Sequence, residues 1–289
     1  MLPRILTVFG LALLALLAGL PAPSRAQLPG TTLVTGAGLV DYSRPGKLKP
    51  GSWVRYHLTD TQGQGEQKIM VTGFETVGRE RCVWIETEFK VPGSVPRYSK
   101  ILVALSISKL PDHDYIKAMP LYQRRLLTMT GMGHEIQKLD FPKVVQAQSS
   151  NIPDVNQNVK DRRDTLATTP VVTDAGRFLC RPVRFTRDAR FLMPGKEPGS
   201  GKRYHRQQEE TVDYQNERIP VTGLARRTYR GTFKDASLPP DAPPDADPPG
   251  AARVMQKDAV LVDFGTDGVS AFPRNAKAVP MRPQGRRIR

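Results

Sequence analysis

The stretch WVRYHLTDTQGQGEQKIMVTGFE, residues 53–75, decides the fold class. Its opening puts Trp53, Arg55 and His57 on one side and Val54, Tyr56 and Leu58 on the other, the period-two alternation of a half-buried strand. Gly63 and Gly65 then suit a hairpin turn, and KIMVTGFE (68–75) resumes the strand. Moving outward, CVWIETEF (82–89) and, past the VPGSVP loop, SKILVALSI (99–107) repeat the pattern. Four strands with short connections form an antiparallel meander.

Strand signals return in TLATTPVVT (165–173), GRFLCRPVRFTR (176–187), KRYHRQQEETVDYQ (202–215), RIPVTGLARRTYRGTF (218–233) and DAVLVDF (258–264). The middle of the chain differs. DHDYIKAMPLYQRRLLTMTG (112–131) places Ile116, Met119, Leu126, Leu127 and Met129 at spacings a helix tolerates, with Pro120 interrupting, and reads as one or two short helices. HEIQKLDF and KVVQAQ fit strand or helix, and residues 149–164 read as a polar surface loop. The expected fold class is a β-rich α+β domain, a curved antiparallel sheet packed on a few short helices.

Around this domain the chain divides by composition. In residues 1–26, a basic MLPR precedes the apolar run ILTVFGLALLALLAGL and the small-residue end PAPSRA, the pattern of a secretory signal peptide cut between Ala26 and Gln27. The alternative is an uncleaved anchor, but the run is shorter than the roughly 20 residues of a spanning helix and is broken by Pro21 and Pro23. The expected location is periplasmic or secreted. Residues 27–50 read as a flexible lead-in, 51–236 as the β domain, 237–252 as a Pro/Asp-rich linker, and 253–289 as a terminal strand with a basic tail.

The chain carries 43 Lys and Arg against 28 Asp and Glu, a net charge of +15. Loss of Arg4 and Arg25 with the signal leaves +13, which favours anionic partners: lipid headgroups, lipopolysaccharide, anionic cell-wall polymers. Nucleic acid is not expected outside the cytoplasm.

Chemistry is harder to find. His57, His113, His134 and His205 lie in four separate segments without metal-ligand spacing, so no metal is expected. There is no G-x-S-x-G elbow and no phosphate-binding glycine loop. Glu86 and Glu88 share a strand face, but such a pair is more simply a solvated face or a partner for the arginines. No cofactor and no catalytic residue are expected, and the chain reads as a non-enzyme.

The only two cysteines sit in matched contexts, GRERC (78–82) and GRFLC (176–180). An oxidising compartment permits a Cys82–Cys180 disulfide if their strands are neighbours; otherwise the two are free thiols on separate strands.

KPGSWVRYHLTD, VWIETEF, KILVALS, TDAGRFLCRPVRF and RIPVTGLARRTY, in that order, resemble a family of exported bacterial proteins of unassigned function. Its architecture is similar to that of the periplasmic lipoprotein-sorting carriers (Lol-type, outer-membrane lipoprotein carrier-like). The resemblance implies a half-barrel whose concavity holds acyl chains, and with it a binding protein for a lipid or a lipidated partner. Strand alternation then offers Trp53 or Tyr56, Ile69, Val71, Ile85, Phe89, Leu102, Val183 and Phe185 as an apolar cavity. The rival reading is an envelope structural or interaction module with a filled core that docks anionic polymers through its basic surface. The Pro/Asp segment, the extra strand and the basic charge depart from the carriers.

Overall fold

A computed structural model describes residues 36–61, 63–110, 122–130, 136–140, 158–194, 202–238, 250–273 and 278–280. Alternating sequences become thirteen strands: β1 (Trp53–Asp60), β2 (Gly63–Val77), β3 (Glu80–Lys90), β4 (Arg97–Ala104), β5 (Gln123–Thr130), β6 (Ile136–Asp140), β7 (Asn158–Thr165), β8 (Thr169–Thr173), β9 (Gly176–Pro194), β10 (Lys202–Gln215), β11 (Leu224–Leu238), β12 (Arg253–Gly265) and β13 (Ala278–Pro280). They form one open, curved sheet in the order β13–β6–β5–β4–β3–β2–β1–β12–β11–β10–β9–β7, with β8 paired to the start of β9. Among the described residues only the β13–β6 pair is parallel.

Two meanders meet where β1 pairs with β12, across some two hundred residues of chain. Tyr56 lies opposite Leu261 and Leu58 opposite Ala259, so the apolar stripes of both meanders fall on one face. The segment expected as a separate terminal strand, DAVLVDF, therefore lies at the centre of the sheet as part of β12. Its stripe needs burial on both flanks, and only an interior position supplies that.

What covers this face corrects the expectation of short helices. The described elements besides strands are three single-turn 3-10 segments, Gly36–Leu39, Pro45–Lys47 and Leu105–Lys109. The sheet buries its apolar face against irregular chain instead. Ala37, Leu39, Val40, Tyr42 and Leu48, within the part of the lead-in read as flexible, are all in the core. The Tyr42 hydroxyl donates to the Ala37 carbonyl at 2.9 Å, closing this coil on itself. From the other side the β10–β11 connection brings Ile219, Val221 and Leu224 inward. Tyr56 anchors it, its hydroxyl within 2.5 Å of Thr222 Oγ1 and donating to the Leu224 carbonyl at 2.8 Å. Val221 holds φ at 62°, rare for a β-branched residue, and its carbonyl accepts the Asp41 N–H at 2.9 Å, joining the two covering segments. The β8–β9 hairpin adds Val171, Phe178 and Cys180.

Other local expectations change as well. Residues 123–130 of the predicted helix are β5, in which Leu126 packs at the core margin and Arg125 reaches Glu75 at 3.2 Å and Asp140 at 2.9 Å. The exposed backbone edge of β4 outweighs helix spacing that was shared with a strand pattern. Residues 112–121, KVVQAQ and most of the Pro/Asp segment lie outside the described residues. The second half of the expected 149–164 loop is β7, an edge strand whose charges oppose further pairing.

The opposite face carries a strap. After β12 the chain crosses β1, β2 and β3, with Gly268 N–H donating to the Gly51 carbonyl at 2.9 Å and Ala271 N–H to Glu86 Oε1 at 2.8 Å. Gly51 has φ +86°, and a Cβ there would lie 2.7 Å from the Thr266 carbonyl oxygen. Gly51→Ala is therefore expected to lose about 1–3 kcal/mol in urea unfolding, through backbone strain and displacement of the strap. A loss under about 0.5 kcal/mol would show that the strap yields freely.

Candidate binding surface

The nine residues expected to line a cavity do not share one space. Tyr56, Ile69, Val71 and Ile85 come together, but inside the packed core, with Phe89 at its margin. Leu102 lies on the opposite face with Cys82 and Ala104. Trp53 is on that face too, its Nε1 donating to Asp267 Oδ1 at 3.0 Å and Lys68 Nζ 4.7 Å above its ring. Val183 is fully buried opposite Asp213 in the sheet register. Phe185 is half-buried beneath the Arg163 guanidinium, 5.3 Å from its ring centre.

No Cys82–Cys180 disulfide is formed. Both are free, buried thiols, Cys180 in the main core and Cys82 in the small cluster on the other face, so the sheet itself separates them. Burial pushes both thiols above their ordinary range, which keeps them protonated and unreactive.

Glu86 corrects the reading of a solvated carboxylate face. It is 4 % exposed, accepting from Ser270 Oγ at 2.5 Å as well as from Ala271 N–H. Lys100, directly opposite Glu86 in the register, approaches Ser270 Oγ at 3.5 Å and the rings of Trp84 and Phe272 at 5.6 and 5.8 Å. Burial lowers the Lys100 pKa, and the Glu86 charge opposes that shift. The cluster latches the strap. Among the described residues no group of three or more His, Cys, Asp and Glu could hold a metal ion.

A larger polar surface lies on the strap side of the second meander. Cross-strand register there sets out Arg190–Arg206–Lys234, Lys160–Asp188–Gln208, Arg162–Thr186–Glu210–Arg230 and Asp164–Arg184–Val212–Thr228–Asp258, with Arg226 in the next row. Across these rows eight Lys and Arg face four carboxylates. Each carboxylate already has an arginine: Asp164 with Arg162 at 2.9 Å, Glu210 with Arg184 at 3.6 Å, Asp188 with Arg206 at 3.1 Å and Asp258 with Arg226 at 2.5 Å. The hydrogen bond from Arg206 holds the Asp188 carboxyl below its usual range. Arg162 is 76 % exposed in its side chain, and Lys160 and Arg230 are exposed. Alternation in β9 and β10 was legible in sequence; that the cations of four strands stand in common rows was not.

Where β1 ends, this surface has a groove of about 470 Å³. The last β1–β12 pair is Asp60 with Lys257, while β11 and β12 continue through Arg230 and Gln256.

No protein-family model matches the sequence, and no curated protein matches it. Solved structures do, and two of them can be described. One is a protein from Parabacteroides distasonis described as a lipoprotein, 13 % identical over 75 % of this chain and 96 % of that one, with a TM-score of 0.32. The other, from Bacteroides fragilis, is described as exported with a YmcC-like fold, 9 % identical over the same shares, with a TM-score of 0.30. Superposition this loose carries neither fold nor function to this chain.

Proposed function

We propose an exported, non-enzymatic interaction module of the cell envelope that docks an anionic polymer through the basic face of β7, β9, β10 and β11. The observation that carries this reading is the excess of cations in those rows after every carboxylate has been paired. Export is supported by the apolar, small-residue pattern of residues 1–26. An acyl carrier has less support, because the residues that would line its cavity are packed against the lead-in and the β10–β11 connection.

The test is binding of the chain from Gln27 onward to polygalacturonate. Affinity is expected to fall at least about tenfold between roughly 50 and 300 mM salt, as exposed charges are screened. Reversing Lys160, Arg162, Arg190 and Arg230 to Glu together is expected to abolish binding. Failure to bind polygalacturonate or lipopolysaccharide at low salt would sink the reading. A stoichiometric acyl species extracted from the native protein would replace it with the carrier.

A further inference from the structure

Strand β12 outruns β1. It pairs with β11 as far as Arg253 opposite Phe233, but with β1 only as far as Lys257 opposite Asp60. Among the described residues, Arg253, Val254, Met255 and Gln256 therefore have a strand on one side alone. Their backbone donors and acceptors on the other side form a short open edge in line with β1. Open edges attract further strands unless charge, proline or a bulge blunts them. The outer edge strand β7 is blunted in that way, by Lys160, Asp161, Arg162, Arg163 and Asp164 in succession. The β12 edge has no proline and a single charge, Arg253, at its end. Val254 in its middle is 46 % exposed.

The two faces beside this edge differ. On the side that carries Leu58 and Ala259, Met255 stands opposite Gly231 and Arg253 opposite Phe233. The Tyr229 hydroxyl and the Phe233 ring meet over Gly231, where a Cβ would lie 2.5 and 2.7 Å from them, so a low apolar shelf adjoins Met255. Tyr229 is held there by its hydrogen bond to Glu209 Oε1 at 2.6 Å. The Arg253 guanidinium is 5.5 Å from the Phe233 ring centre and forms no ion pair with a described residue. On the strap side, Val254 stands opposite Thr232 and Gln256 opposite Arg230.

We propose that this edge receives an extended segment of another protein, added antiparallel to β12 in line with β1, with polar, apolar, apolar and acidic residues in succession. Such a guest meets Gln256, Met255, Val254 and Arg253 in that order, and residues opposite one another share a face. Its second side chain rests on Met255 beside the shelf, its third on Val254, and its fourth brings a carboxylate to Arg253. Main-chain hydrogen bonds supply the attraction, and the alternating side chains supply the selectivity. A small anion would use Arg253 and leave the backbone edge open. A lipid surface would use neither the edge nor its register. The edge is distinct from the rows of cations proposed above to dock a polymer, and it does not depend on that reading.

The fluorescein-labelled peptide GSTLVESG, titrated into the full mature chain from Gln27 onward with anisotropy as the readout, tests the proposal. It is expected to bind saturably within the millimolar range. Two N-methylated versions separate strand addition from adhesion, one methylated at Leu and Glu and the other at Thr and Val. Alternate residues of a strand turn their N–H groups to opposite sides, so only one version should suffer. That version should lose at least about tenfold in affinity, and the other should stay within about threefold. Arg253→Glu should weaken GSTLVESG at least about fivefold, and GSTLVKSG should recover the loss, which also shows that the variant is folded. Reversal of Lys160, Arg162 and Arg190 should leave the peptide within about threefold of wild type while weakening the polymer, so the two readings fail separately. Absence of binding, equal binding of both methylated peptides, or indifference to Arg253→Glu would each overturn the proposal. Self-association of the chain that the peptide disperses would give the edge to a second copy and overturn it as well.

Discussion

Asp213→Ala is expected to destabilise the fold by about 3–5 kcal/mol, the usual penalty for stranding one partner of a buried ion pair. Asp213 accepts Arg227 Nε at 2.5 Å and Nη2 at 2.6 Å, and the two side chains are 7 % and 13 % exposed. In register they stand in line with Ala259 and Leu58, so the pair extends the core-side face of the first meander into the second. Removing the carboxylate leaves a guanidinium beside Tyr56 with water largely excluded. The pair itself is a weak source of net stability, because desolvation offsets most of the attraction. The double variant Asp213→Val with Arg227→Met is therefore expected to recover most of the loss. Urea unfolding of the three proteins measures both effects. A single-variant loss below about 1 kcal/mol would mean that water reaches the pair.

Glu86→Ala is expected to lose about 3 kcal/mol, since two hydrogen bonds to a charged, buried acceptor disappear and the Lys100 ammonium loses its facing charge. The strap should detach where Ser270 and Ala271 are held. The chain's two tryptophans, Trp53 and Trp84, both lie on this face, so their emission should shift red at denaturant concentrations where the sheet remains folded. Ser270→Ala should cost only about 1 kcal/mol, because Ala271 N–H still reaches the carboxylate. If Glu86→Ala and Ser270→Ala were equal, the hydroxyl would be the latch and the carboxylate incidental.

How much of this was legible depends on whether a segment's own period carries its structure. Residues 53–58 and 82–89 alternate cleanly, and the meander they form is the one observed. Leu126, Leu127 and Met129 satisfy a helical spacing and a strand spacing at once, and the edge of β4 chose between them. The lead-in offered no period, only Gly, Pro and Thr, yet Val40 and Tyr42 are buried. Aperiodic apolar residues do not announce what they cover. RIPVTG was visible as a motif, and its role as a lid over the core, with Val221 held at positive φ, was not. The candidate surface was less legible still, because the cations of β7, β9, β10 and β11 become neighbours only through the pairing of those strands.

By itself the sequence determined that this protein is a sheet of alternating strands with a strong positive charge, since both follow from residue type and local period. Only the tertiary structure decided that β12 lies between β1 and β11, that the two cysteines are kept apart by the sheet, and that, among the described residues, coil rather than helix fills the interior. Those outcomes depend on pairings between segments some two hundred residues apart, whose energies arise only when their surfaces meet.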